Sequence, residues 1–401
     1  MAFNKVALTL VAFVTYMIMS GLLTQIGVII SPLSEYLGIS ITAAASMFSL
    51  LTGGTFAGTF ISMLIYNRFP IQQVLKYNYA IFIVLLVLLV TLDIRIQWIV
   101  SGYLFCLGIG CGIGLAGGAV LISKLYNEQK RASAFLATDC SFSLAGYIFP
   151  SLAVILLAAN QLWTVSYATV GILALLIIIA CFSLTFPKHT PDNEQTPQDN
   201  DNSTQAHLKI WTPRVLIMAF GLCCYLMTQT TFLTWAPNYL QQTFDVDQSV
   251  AGKAVGNYWG PSIFGLLAVT FLVTKVPTRP LLLVVTISAV VIAVMLQNTQ
   301  DPDWFLTVTL ALGFLTSCTF KLAISIGSQQ IDNAPPILVT FLLCSATVGS
   351  TVAPALSAFV VSLFGVGSAM LMTVIGYVVV ALLFATCLLL ENRAQRSTNN
   401  A

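Results

Sequence analysis

Charge is what this chain lacks most. Its 401 residues include 16 Lys and Arg, 14 Asp and Glu and 2 His, so Asp, Glu, Lys and Arg make up only 7%, where soluble domains carry roughly 25%. A soluble globular fold is excluded. Both histidines, His189 and His207, fall in one polar stretch, which leaves none for a proton relay inside an apolar segment. There is no H-E-x-x-H, no pair of carboxylates within one apolar run and no serine beside a histidine, so no enzyme is expected. The nine cysteines all lie in apolar runs with no C-x-x-C array near a histidine. They read as small apolar fillers, with no disulfide, metal site or cofactor implied.

What is present is apolar sequence, 58% of the chain. Stretches such as Ala80 to Leu92 are hydrophobic on every face, which suits lipid contact and not an amphipathic surface helix. Twelve runs have helix-spanning length: Val6 to Ile30, Ile41 to Tyr66, Val74 to Leu92, Gln97 to Ser123, Ala132 to Ala158, Leu162 to Phe186, Val215 to Leu240, Val250 to Thr274, Pro280 to Leu296, Trp304 to Ser328, Ile337 to Phe364 and Ser368 to Leu390. The first follows Lys5 without a small-residue cleavage site and is long enough to span, so a retained helix is expected and a mature chain starting at or near Met1. Apart from the intramembrane Lys321, every Lys and Arg except Arg95 and Lys253 then falls on the side of the termini. That bias predicts cytoplasmic termini. Topology accounts for the basic residues, and no nucleic-acid partner is implied.

One long break interrupts the pattern. Pro187 to Pro213 is rich in Pro, Asn, Asp, Gln and Thr and predicts a disordered cytoplasmic linker. The expected organisation is therefore a six-helix bundle over 1–186, a linker over 187–213 and a second six-helix bundle with a short cytoplasmic tail over 214–401. The two halves repeat each other: Gly53, Gly58, Arg68 and Pro70 correspond to Gly260, Gly265, Lys275 and Pro277, Leu107-Gly108 to Leu312-Gly313, and Cys140-Ser141 with Pro150 to Cys344-Ser345 with Pro354. Weak internal symmetry of this kind marks transporters, whose solute site lies near the midplane between repeats.

Only Asp139 and Lys321 carry charge well inside apolar runs, and neither has a charged counterpart in the other half. Intramembrane charge costs roughly 2.5 to 3.5 kcal/mol on insertion scales and commonly marks a substrate or ion path. Asp139 follows Arg131 by a little over two turns, roughly 12 Å at about 1.5 Å per residue. Lys321 precedes Gln329 by the same number of residues, so the two can meet. Lys321 shares an i, i+4 stripe with Gly313, Ser317 and Ser325, and Asp139 shares a face with Ser143, Gly146 and Pro150. Lys321 is the candidate for neutralising an anionic or hydroxyl-bearing solute, with Asp139 as proton carrier or as a gate with Lys321 when the inner side closes. Snorkelling of Lys321 to the headgroups or a static interhelical bridge are the plainer roles open to them.

Further solute-contact candidates are Gln229 with Tyr225, Gln25, Asn257 and Ser317, with helix–helix hydrogen bonding as the alternative for each. In the fourth run, Gly110, Gly114 and Gly118 recur every four residues and predict a groove for a neighbouring helix.

The two six-span halves, the segment WAPNYLQQTFDVDQSVAGKAVGNYW after run seven, GFLTSCTFKLAISIGSQQ in run ten and TDCSFSLAGYIFP in run five together resemble the major facilitator superfamily. Within it the sequence is most similar to the TsgA-type branch, related to the fucose permease group. The resemblance implies an all-α integral membrane fold of two pseudo-symmetric six-helix bundles and a monomer working by alternating access. Spans one, four, seven and ten would line the cavity, and two, five, eight and eleven would join the halves. It also implies a small-molecule solute as cargo. The loop after span two reads LIYNRFPIQQ and keeps only Arg68 of the basic residues usual there, which makes Arg68 the remaining gating candidate in that loop. Spans one and four lack the acids that the fucose-permease group uses for proton coupling, so Asp139 is the one membrane acid left for that task, with uniport as the alternative. The competing class is a non-transporting sensor or structural protein on the same fold.

Overall fold

A computed structural model describes residues 2–187, 212–273, 275–330 and 336–399 of the chain. Nearly all of the expected linker, with His189 and His207, lies outside the described residues. Among those described, twelve helices are long and apolar enough to cross a membrane: Asn4–Leu23, Ile41–Arg68, Ile71–Thr91, Gln97–Leu125, Ser133–Ala158, Trp163–Ser183, Pro213–Phe244, Gln248–Leu272, Thr278–Asn298, Pro302–Ser328, Leu338–Phe364 and Gly367–Glu391. They are referred to below as spans one to twelve. Helices dominate for a simple reason: with no water in the hydrocarbon, each backbone N–H and C=O must be paired within its own segment. Even so many crossings return the chain to the side where it began, called here the terminal side.

The halves pack in matching ways. Span two lies along span four, and span eight lies along span ten. Glycine sets both contacts, because small residues let two backbones approach closely. A Cβ on Gly108 would collide with the carbonyl of Leu51, and one on Gly313 with the carbonyl of Tyr258. The second contact repeats the first at corresponding positions, as do Gly58 against Ile109 and Gly265 against Phe314. The internal repeat seen in the sequence is thus a repeated backbone-on-backbone packing. Span four is close-packed on two glycine faces. On the expected face Gly110 seats Phe82, Gly114 seats Tyr79 and Gly118 faces Thr15, so spans three and one approach closely there, while Gly108 and Gly112 meet the backbone of span two. A glycine count alone does not register the second face.

Spans two and eleven, five and eight, and one and seven join the halves. These contacts obey the same symmetry: a Cβ added to Gly53 would lie 3.4 Å from Thr351, and one added to Gly260 would lie 3.2 Å from Tyr147. Hydrogen bonds fasten the halves at the end away from the termini. Ser31 donates to Asn238 at 2.7 Å, Gln248 Nε2 to the Val28 carbonyl at 3.2 Å, and the Ala355 N–H to Ser49 Oγ at 2.9 Å. Further toward the terminal side on spans two and eleven, Ile61 and Leu343 are 39% and 40% exposed.

Two spans expected to be continuous are broken. Span one stops at Leu23 and resumes as the helix Ile26–Leu37. Span ten consists of helices Pro302–Thr316 and Thr319–Ser328. In each, side chains take carbonyls that the next turn would otherwise use. Gln25 Nε2 donates to the Gly21 carbonyl at 2.5 Å and Tyr167 donates to the Leu22 carbonyl at 3.1 Å. In span ten, Ser317 Oγ donates to the Phe314 carbonyl at 2.9 Å, Cys318 Sγ to the Leu315 carbonyl at 3.4 Å and Tyr225 to the Thr316 carbonyl at 2.7 Å. The i, i+4 stripe from Gly313 to Ser325 therefore runs across a break.

Candidate functional site

Lys321 sits in the first turn of the second piece of span ten, and Asp139 sits in the helix Glu128–Ala158 of span five. Their side chains meet, Lys321 Nζ to Asp139 Oδ2 at 2.8 Å, and so tie one half to the other. The lysine side chain is 47% exposed and the carboxylate 20% exposed. The hydrogen bonds between the halves lie at the far end, and this pair joins them nearer the terminal side. The lysine also lies over the Phe320 ring, with Nζ 5.6 Å from its centroid.

The other candidates are half-buried, buried in helix packing or exposed at a span end. Gln229 is half-buried and donates through Nε2 to the Tyr258 hydroxyl at 2.6 Å, which is 2.7 Å from Thr316 Oγ1. Tyr225 is buried, and its hydroxyl is spent on the Thr316 carbonyl. Gln229, Tyr258, Thr316 and Tyr225 thus form one network across spans seven, eight and ten. Gln25 is fully buried, with Nε2 paired and Oε1 lacking a partner. Asn257 is half-buried and donates to the Leu306 carbonyl at 3.0 Å, a bond between spans eight and ten. Ser317 is half-buried and lies against Gly265. Arg68 is exposed in the last turn of span two, away from the Asp139–Lys321 pair.

Sequence reasoning passed over three residues. Tyr16 of span one lies close enough to Asp139 to sense its charge and also touches Gly118 of span four. Trp259 covers Gly146 and packs edge-on against Phe142 and Tyr258, at 5.3 Å between ring centres in each case. Glu391, buried at the end of span twelve, is gripped by both Nε and an Nη of Arg279 and receives Gln330 Nε2 at 3.3 Å. An aromatic residue beside a span glycine was the available signal for Trp259. Glu391 read as an ordinary helix-end acid.

The Lys321–Asp139 pair can exchange partners. A cation that is half-exposed can release one carboxylate for another anion or for a hydroxyl without becoming an unpaired buried charge. Among the described residues, no group of three or more His, Cys, Asp or Glu is placed to hold a metal ion.

The sequence profile of the Major Facilitator Superfamily matches residues 8–339. The chain belongs to that superfamily. It is a multi-pass membrane protein and a secondary transporter of a small-molecule solute, not an enzyme. Among its relatives is a protein named TsgA homolog from Yersinia enterocolitica serotype O:8 / biotype 1B, 28% identical over 370 residues, which covers 92% of this chain and 91% of the relative. Another TsgA homolog, from Yersinia pestis (strain Pestoides F), is 27% identical over 349 residues, 86% of each chain. The fold matches that of a D-xylose-proton symporter with a TM-score of 0.74 at 16% identity, covering 94% of this chain and 96% of that one. It also matches a D323A mutant of the nucleoside transporter NupG with a TM-score of 0.73 at 14% identity, covering 96% and 99%. Within the superfamily the transporter resembles the TsgA-type proteins.

Proposed function

We propose that the transporter carries a small polar solute through a cleft between its halves, with Lys321 as the principal solute contact and Asp139 as its resident counter-ion. The observation that carries this reading is the 2.8 Å pair joining two halves that are hydrogen-bonded to each other at the far end. An anionic or hydroxyl-bearing solute replaces the carboxylate at Lys321. Protonation of Asp139 releases the lysine for that exchange, which supplies a route for proton coupling. The pair is already formed while the far end is closed, which favours this placeholder role over that of a gate made only when the inner side shuts. Gln229, held by Tyr258, and Ser317 complete the contact set on the second half. Gln25, with its unpartnered acceptor, contributes from span one, and Asn257 bonds the wall beside them. Arg68 belongs to the rim of the cleft.

The reading extends to the whole chain. The halves 1–186 and 214–401, joined by the 187–213 linker, rock about the pair as a monomer in a bacterial inner membrane. Both termini are cytoplasmic by the distribution of Lys and Arg, so the present state opens inward. Alternate closure at the two ends separates this from a sensor that holds one state. In a cysteine-free background, Ser31→Cys with Asn238→Cys should cross-link in the inward-open state, and Ile61→Cys with Leu343→Cys in the outward-open state. A cycling population yields both products. Absence of the second under all conditions favours the sensor.

A further inference from the structure

The two breaks carry site residues, Gln25 within that of span one and Lys321 just past that of span ten, and a buried tyrosine from a neighbouring span reaches each. Tyr167 gives its hydroxyl to the Leu22 carbonyl at 3.1 Å, and Tyr225 gives its own to the Thr316 carbonyl at 2.7 Å. We infer that Tyr167 and Tyr225 are positioning residues: each holds a broken span open at a carbonyl the regular helix would use, and so sets where Gln25 and Lys321 stand. This rests on the reading of those two residues as solute contacts.

The chemistry is specific to the two carbonyls. In an unbroken helix the Leu22 carbonyl would accept from the Ile26 N–H and the Thr316 carbonyl from the Phe320 N–H. Beyond the breaks the regular pairing resumes, with Ile29 donating to Gln25 and Leu322 to Cys318, and Val28 also donating to Gln25. The tyrosines are fully buried, so each hydroxyl has a strong need for its partner. Irregular backbone at membrane depth persists where protein groups satisfy it, and these hydroxyls do so. Tyr66 supplies a contrast within the same molecule. It donates to the Ile113 carbonyl at 3.0 Å, yet span four runs unbroken from Gln97 to Leu125. A tyrosine on a carbonyl is therefore not sufficient. At the two breaks, Gln25 or Ser317 and Cys318 take the adjoining carbonyls as well. The position of the lysine follows from this arrangement, because restoring the regular turn would rotate Lys321 relative to span five and loosen its pair with Asp139.

The test is amide hydrogen exchange by mass spectrometry on the full chain in lipid nanodiscs, comparing the parent with Tyr225→Phe, Tyr167→Phe and Tyr66→Phe. If the hydroxyls hold the breaks open, removing one lets the turn close. Exchange then slows about fivefold, the effect of one hydrogen bond, over residues 317–321 in Tyr225→Phe and over 25–27 in Tyr167→Phe, with neither segment changed in Tyr66→Phe. A merely structural tyrosine would give the opposite sign, faster exchange spread along the span, and that result overturns the inference, as does no change in either segment. A second readout is the infrared carboxyl band of Asp139, identified by its loss in Asp139→Asn. Lys321 and Tyr16 are the titratable groups that face this carboxyl from spans ten and one, with Cys140 its neighbour in sequence. Tyr225→Phe should move the pH midpoint of the band and Tyr66→Phe should not; an unmoved band in Tyr225→Phe counts against positioning of Lys321. If Lys321→Met left transport kinetics unchanged while the exchange pattern held, the solute-contact reading would fall and the positioning of span ten would stand.

Discussion

At the residue scale, two ion pairs of similar chemistry occupy different surroundings and should behave differently. Lys321 and Asp139 are 47% and 20% exposed, so losing one partner leaves a charge that is not sealed away. Glu391 is 5% exposed and held by two guanidinium nitrogens and by Gln330. Removing its charge weakens the charge-assisted hydrogen bonds that join the ends of three spans, while Arg279, 38% exposed, stays within reach of water. Glu391→Gln should therefore cost about 2 kcal/mol, in the range for hydrogen bonds to a charged group. Asp139→Asn and Lys321→Met should each cost less, and the double variant should recover part of the loss, with a coupling of about 1 kcal/mol. Unfolding of the four proteins in detergent measures this directly, and a larger loss for Asp139→Asn than for Glu391→Gln would count against exposure as the cause.

At the element scale, the repeat makes a paired prediction. Gly108 and Gly313 each meet a backbone carbonyl that cannot move aside without shifting a span. Gly108→Ala and Gly313→Ala should each destabilise by about 1 to 3 kcal/mol, the usual cost of overpacking. Gly102 lies on the same span as Gly108 with nothing within 4 Å of an added Cβ, and there alanine should add up to about 1 kcal/mol through helix propensity. Thermal unfolding of the three variants checks the set. Equal effects at Gly102 and Gly108 would remove the packing argument. Unequal costs at Gly108 and Gly313 would mean that the symmetry of the contact does not extend to its energetics.

At the scale of the molecule, the sequence revealed what depends on composition along one span and missed what depends on a neighbour. Twelve spans, two halves and the isolation of Asp139 and Lys321 follow from where charge is tolerated in lipid, a property each segment carries by itself. The depth of the two charges, counted from Arg131 and Gln329, already allowed them to meet. The breaks were invisible because their causes come from elsewhere: nothing in the residues around Leu22 announces that Tyr167, far along the chain, will take its carbonyl. Tyr225 illustrates the same limit. A turn before Gln229 it reads as a cavity residue, whereas packing turns it inward onto Thr316. Lys321 was legible because a lysine in lipid has few reasons to be there, and the transport reading stands on that residue above all others.

The most direct measurement is therefore a thermal-shift screen of the purified transporter against sugars, carboxylates, amino acids and oxyanions, run beside Lys321→Ala. A solute at 100 times its Kd should add about 2.7 kcal/mol of stability. The account predicts a stabilising solute that bears an anionic or hydroxyl group and whose effect is lost in the variant. A solute that stabilises Lys321→Ala as strongly as the parent would contradict it.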